Sequence, residues 1–167
     1  MVSRSSSTEA DVVIDADVYS SCEASRTTLY STRVPYHTMS KNIKTIPTSE
    51  YDLVVSVVET YKEGLRTGDI NLTKQAFHNE ATMYGFDLNG NLLGGPISNL
   101  WTFMETHGAA PEIKTRIDVL GITPTTAVVK VDMERDAAGF DYTDFHTLIK
   151  IGGRWGIIAK TFHTYES

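Results

Sequence analysis

Two runs between Ile113 and Glu134 constrain the fold more than anything else in this chain. In the first, Ile113, Thr115, Ile117 and Val119 alternate with Lys114, Arg116 and Asp118; in the second, Ala127, Val129, Val131 and Met133 alternate with Lys130, Asp132 and Glu134. Successive side chains of an extended chain point to opposite faces, so each run is a strand with one apolar and one wet face. Thr123-Pro124 separates them. A sheet of such strands needs a cover for its apolar face, and the upstream sequence supplies it. Leu53, Val54, Val57, Val58, Tyr61 and Leu65 recur at helical spacing, with Ser49 and Asp52 as a capping box in front and Gly64 and Gly68 at the end. Asp69 can cap a short second helix running through Leu72 and Phe77. Ala81 to Phe86 and Leu92-Leu93 then flank Asn89-Gly90, the preferred pair for a two-residue hairpin turn. Gly95-Pro96 opens a third helix with Pro at its first position; Ile97, Leu100, Trp101 and Met104 form its apolar face and Gly108 stops it. Helices placed ahead of an antiparallel sheet define an α+β class, with the helices packed on one side of a curved sheet.

This patterning begins at Ser49, so residues 49–167 are expected to form one domain. Residues 1–48 are rich in Ser and Thr, show no sustained period and contain Pro35 and Pro47; they read as a mostly disordered tail, or alternatively a docking arm. The composition, 41% hydrophobic and 22% charged, suits a single globular core. A net charge of -6 with no basic face speaks against nucleic acid as a partner. Cys22 is the only cysteine, which excludes an intrachain disulfide and a zinc-thiolate set. No apolar run reaches the roughly 18 residues of a spanning helix, and the N-terminus has no apolar signal region. The expectation is a cytoplasmic protein without a membrane partner.

The last segment, DYTDFHTLIKIGGRWGIIAKTFH from Asp141 to His163, concentrates histidines, acids and aromatics around a Gly-Gly. With Gly152-Gly153 as a two-residue turn, Ile151 faces Arg154, His146 faces Ala159, Asp144 faces Thr161 and Tyr142 faces His163. One face then carries Tyr142, Asp144, His146 and Leu148 with His163, Ala159, Ile157 and Trp155. The other carries Phe145, Ile149 and Ile151 with Phe162, Lys160 and Ile158, an apolar face that a second subunit would cover. Under this register Asp144, His146 and His163 gather at one end of the hairpin. They would form an acid-base pair in a pocket, an orientation network, or an iron triad; because His163 is diagonal to the other two, no metal site is assigned. Asp144 and His146 are the candidate catalytic residues. Tyr61, Tyr84, Trp101, Tyr142, Trp155 and His163 are the candidate ligand contacts, with the alternative that the two Trp are core. His78 and His107 read as helix-end or solvent-facing residues. Gly94-Gly95 lacks the rest of a phosphate loop and reads as a strand-to-helix turn, and no cofactor is assigned.

The strings YKEGLRTGDINLTKQAFHNEATMYGF, LLGGPI and DYTDFHTLIKIGGRWGIIAKTFH resemble the Putative lumazine-binding family of the nuclear-transport-factor-two-like superfamily. The resemblance runs from about Tyr51 to His163. It implies a cone-shaped fold, a strongly bent sheet wrapped around a long helix, and a homodimer. It implies a protein that binds a small apolar or aromatic molecule in its interior, with or without catalysis. Two alternatives stay open beside simple binding: a cofactor-independent isomerase, dehydratase or cyclase using Asp144 and His146, and binding of a pterin- or lumazine-like ring.

Overall fold

Val54, Val58, Tyr61 and Leu65 fall on one stripe of helix α1 (Thr48–Thr67), and all four are buried. The computed structural model describes residues 46–166; the tail expected over residues 1–48 lies outside them except for its last three residues. Helix α1 starts without a side-chain cap, so the capping box read at Ser49 and Asp52 does not form. Its first turn is held instead by Glu50, whose carboxylate accepts from Lys150 Nζ at 2.8 Å and from the Trp155 indole at 2.9 Å. Gly68, in the left-handed region at φ 72°, closes the helix. Gly64 lies within it for another reason: a Cβ there would stand 2.0 Å from Thr73 Oγ1 and 2.8 Å from Thr73 N. That close approach seats helix α2 (Ile70–Gln75), which Asp69 caps by accepting from the Leu72 amide at 3.0 Å.

Strand β1 (Phe77–Phe86) begins where the sequence reading extended the second helix, and Phe77 is a core residue at its start. Phe86 pairs with Leu92, so the connection to β2 (Leu92–Pro96) is a five-residue loop and not an Asn-Gly turn. Asp87 organises it, its carboxylate accepting the Asn89 and Asn91 amides. Gly95 and Pro96 belong to β2, and helix α3 (Ser98–His107) starts two residues later than expected. Strands β3 (Lys114–Ile122), β4 (Thr126–Glu134), β5 (Asp141–Ile151) and β6 (Arg154–Tyr165) complete a six-stranded open sheet in the order β2-β1-β6-β5-β4-β3. Every pairing is antiparallel except β1 with β6. Register shifts interrupt β3–β4 between Val119 and Gly121 and β5–β6 between Thr147 and Leu148, and such bulges bend a sheet. The apolar residues of the two alternating runs, Val129, Val131 and Met133 among them, face α1 in one core with Leu148 and Ile157. The α+β cone expected from the sequence is the fold observed. No helix among the described residues is long and apolar enough to cross a membrane.

Candidate functional site

The bulge in β6 decides which residues enter the interior. From the turn, Ile151 pairs with Arg154 and Leu148 with Ile157, as the sequence reading requires. Ile158 is then an extra residue, and Thr147 pairs with Ala159. Beyond that point the strand is offset by one: His146 pairs with Lys160, Asp144 with Phe162, Tyr142 with Thr164 and Thr143 with His163. A one-residue offset exchanges the faces of every later side chain. Lys160 therefore turns inward and is buried, contrary to its expected place on the second face. His163 turns outward, is exposed and lies edge-on to Tyr165. The predicted cluster of Asp144, His146 and His163 does not form, and the triad geometry weighed for iron goes with it.

What forms instead is a buried cluster around Asp144, which is 0% exposed. Its Oδ1 accepts from Lys160 Nζ at 2.7 Å, and its Oδ2 accepts from the Tyr61 hydroxyl at 3.1 Å. The third partner is His146 Nε2, 3.3 Å from Oδ2. An ionised carboxylate only accepts, so Nε2 carries the imidazole proton and Nδ1 is the bare nitrogen. Nδ1 has no hydrogen-bond partner among the described residues. Burial alone would raise the Asp144 carboxyl, but the Lys160 charge and the hydrogen bonds from His146 and Lys160 together hold it below its ordinary 3.8. Burial dominates at His146 and lowers it from 6.5 despite the carboxylate beside it, so this imidazole is neutral. Burial and then the Asp144 charge push Tyr61 well above 10, which keeps its phenol protonated.

This cluster forms the floor of a cavity of about 690 Å³, within the usual range for small-molecule sites of about 300–1,000 Å³. Leu65, Leu100, Phe103, Met104, Met133 and Phe162 supply much of its apolar wall, so α1, α3, β4 and β6 all contribute. Tyr61 and Lys160 line it, whereas Asp144 and His146 stand behind them. Lys160 has one hydrogen-bond acceptor among the described residues, Asp144, for three N–H donors, and it lies 4.6 Å from the Phe162 ring. Of the other candidate contacts, Tyr142 lines the cavity. Tyr84 is exposed and lies against Gly94, Trp101 packs edge-on against Phe77 at 5.7 Å, and the Trp155 indole is committed to Glu50. None of these three, nor His163, lines the cavity. His107, read as a helix-end residue, does line it and stacks on Phe103 at 4.5 Å. His78 lies in β1, where its Nδ1 accepts the Glu80 amide at 3.2 Å.

Lys160 and Asp136 are among the cavity residues that escaped the sequence reading. Lys160 follows Ile157-Ile158-Ala159, a run without alternation, and that loss of period marks the bulge. Asp136 sits in the β4–β5 connection, where its Oδ1 accepts the Ala138 and Phe140 amides at 2.9 and 2.8 Å. In sequence it is an ordinary turn aspartate.

Known proteins with related sequence share this architecture. An aldolase of Cladobotryum sp., FrzH, is 40% identical over 122 residues, which span 73% of this chain and 97% of that protein. An NTF2-like protein of Shewanella baltica OS155 superposes with a TM-score of 0.69 at 33% identity, covering 74% of this chain and all of the other. One from Methylobacillus flagellatus KT gives 0.67 at 27%, covering 72% and 96%. Family membership and fold together support a ligand-binding domain. Residues 49–163 match the model of the family described as Putative lumazine-binding, and the chain belongs to that family.

Proposed function

We propose that this chain binds an apolar carbonyl compound in its interior cavity and catalyses aldol-type formation or cleavage of a carbon–carbon bond with its own side chains, working as a homodimer. The observation that carries this reading is the Lys160–Asp144 ion pair beside Tyr61 at the floor of an apolar cavity. An aldol step passes through an enolate, whose negative oxygen needs donors fixed in place before the charge develops. Lys160 has N–H groups to spare and can stand at that oxygen, while Tyr61, whose single O–H is given to Asp144, holds the carboxylate that fixes Lys160. The sealed position of Asp144 makes it the group that orients and charges the pair, not the group that meets substrate. An amine that has given its free electron pair to a proton shared with a carboxylate cannot attack a carbonyl carbon. The pair therefore favours an oxyanion site over a covalent imine. The aldolase of Cladobotryum sp. is consistent in reaction class with such a site.

The test is cleavage of a methoxynaphthyl β-hydroxyketone, which releases a fluorescent naphthaldehyde and acetone. The expected result is turnover above buffer by the wild-type chain, with a loss of about 100-fold or more in the paired variant Asp144→Asn/Lys160→Met and a smaller loss in Tyr61→Phe. The paired change removes both charges together, because Lys160→Met alone would strand a buried carboxylate. Borohydride added during turnover should leave the protein mass unchanged; a trapped adduct would replace the oxyanion role of Lys160 by an imine. Binding without turnover would leave a carrier of flat apolar rings, the second reading that the family description favours.

A further inference from the structure

An enolate site needs a base, and the floor cluster does not expose one. Asp144 is sealed and fully engaged, and His146 is behind the wall. Two other carboxylates line the cavity. Asp87 is saturated by its own loop: Oδ1 accepts the Asn89 and Asn91 amides and Oδ2 accepts the Asn91 side chain at 2.9 Å. Asp136 differs. Both loop amides bond to its Oδ1, and its Oδ2 makes no hydrogen bond to the described residues.

Its placement is closely determined. The Asp136 amide donates to Phe140 O and the Gly139 amide returns to Asp136 O, both at 3.0 Å. Arg135, immediately before it, is the described non-glycine residue at positive φ, 57°, and its amide is tied to Asp141 Oδ1 at 2.9 Å. Backbone strain of this kind persists only where its surroundings impose it. Asp136 and Lys160 line the same cavity, so a base and an oxyanion donor face one space.

We infer that Asp136 is the catalytic base of this site; this rests on the oxyanion reading of Lys160. The Asp136 carboxylate takes the proton from the carbon next to the carbonyl. The C–H pair becomes the enolate C=C bond, and the carbonyl π pair moves to the oxygen held by Lys160. The enolate C=C pair then bonds to a second carbonyl carbon as the first C=O re-forms, and the second carbonyl's π pair moves to its oxygen, which receives the proton from Asp136. Nothing is oxidised or reduced and no co-reactant is consumed.

Proton exchange isolates the base from the bond-forming step. β-Tetralone, an apolar ketone, is incubated with the full chain in deuterated water and its α-hydrogens are followed by NMR. Wild type should exchange them faster than matched buffer. Asp136→Asn preserves an oxygen acceptor for the two loop amides and should lose about 100-fold or more of that exchange, at unchanged affinity for β-tetralone. Asp136→Glu should recover part of it, whereas a purely structural Asp136 predicts that Glu, which fits the loop less well, is worse than Asn. Exchange at the wild-type rate in Asp136→Asn, or Glu worse than Asn, overturns the assignment and leaves the oxyanion reading in place. No exchange by wild type itself overturns both. If Asp136→Asn does not fold, Asp136→Ser, which also offers the loop amides an oxygen, decides in its place: undiminished exchange there refutes the proposal.

Discussion

Asp144 gathers three donors from three elements, and that makes its neighbours sensitive to acid. His146 is neutral and fully buried, with its titration lowered from 6.5; Asp144 is held below 3.8. In both cases the unfolded chain binds a proton more readily than the folded one. The stability they contribute is therefore present above the unfolded values and lost as pH falls, first below 6.5 through His146 and then below 3.8 through Asp144. The melting temperature should decline from about pH 7 to about pH 5. His146→Gln keeps an N–H for Asp144 and removes the titration, so its decline should be shallower. Each ~1 kcal/mol of difference is worth about 4 °C in a domain of this size. Parallel curves for the two proteins would show that His146 does not carry the effect.

Elements repeat this contrast between local and distant determinants. The alternation over residues 113–134 was enough to place β3 and β4, and the stripe from Val54 to Leu65 was enough to place α1, because burial of one face is written in each residue's own polarity. The hairpin near the C-terminus was legible only as far as Ile157. Whether Ile158 continues the strand or bulges goes with β1 pairing along the other edge of β6, and the sequence marks it only by the lost alternation of Ile157-Ile158-Ala159. That single residue separates the expected site, with His163 inside, from the observed one with Lys160 inside. Tyr61, Tyr142, Asp144 and His146 kept their inward places because they lie on elements read in the correct register. Gly64 is a similar case: locally it weakens a helix, and only the contact with α2 explains it. In an open helix Gly64→Ala would stabilise by about 1 kcal/mol. Here the added methyl meets Thr73 backbone as well as its hydroxyl, so α2 must move. The expected result is net destabilisation of about 1–3 kcal/mol in denaturant melts. A gain in stability would mean that α2 yields freely.

For the domain as a whole, the helices cover one face of the sheet and leave the other without cover from the described residues. Phe145 pairs with Lys130 and Thr161 and points away from the core, as does Val128 beside Thr147. They are 44% and 39% exposed in the middle of the sheet, where a lone chain gains nothing from presenting them. Contiguous apolar patches on monomers are small, and larger ones mark contact sites. A second copy of the chain is the proposed cover, and it would leave the cavity untouched, since neither Phe145 nor Val128 lines it. Light scattering at about 50 µM, well above the micromolar constants of interfaces of standard size, should give twice the 18.5 kDa chain mass. Phe145→Glu places a charge on each side of a two-fold contact, where like charges meet, and should return the mass to that of one chain. Its cleavage of the naphthyl hydroxyketone should stay within about twofold of wild type, because the substituted side chain is on the far side of the sheet. A wild-type chain that scatters as a monomer at that concentration removes the homodimer. A Phe145→Glu chain that stays dimeric moves the contact to another surface.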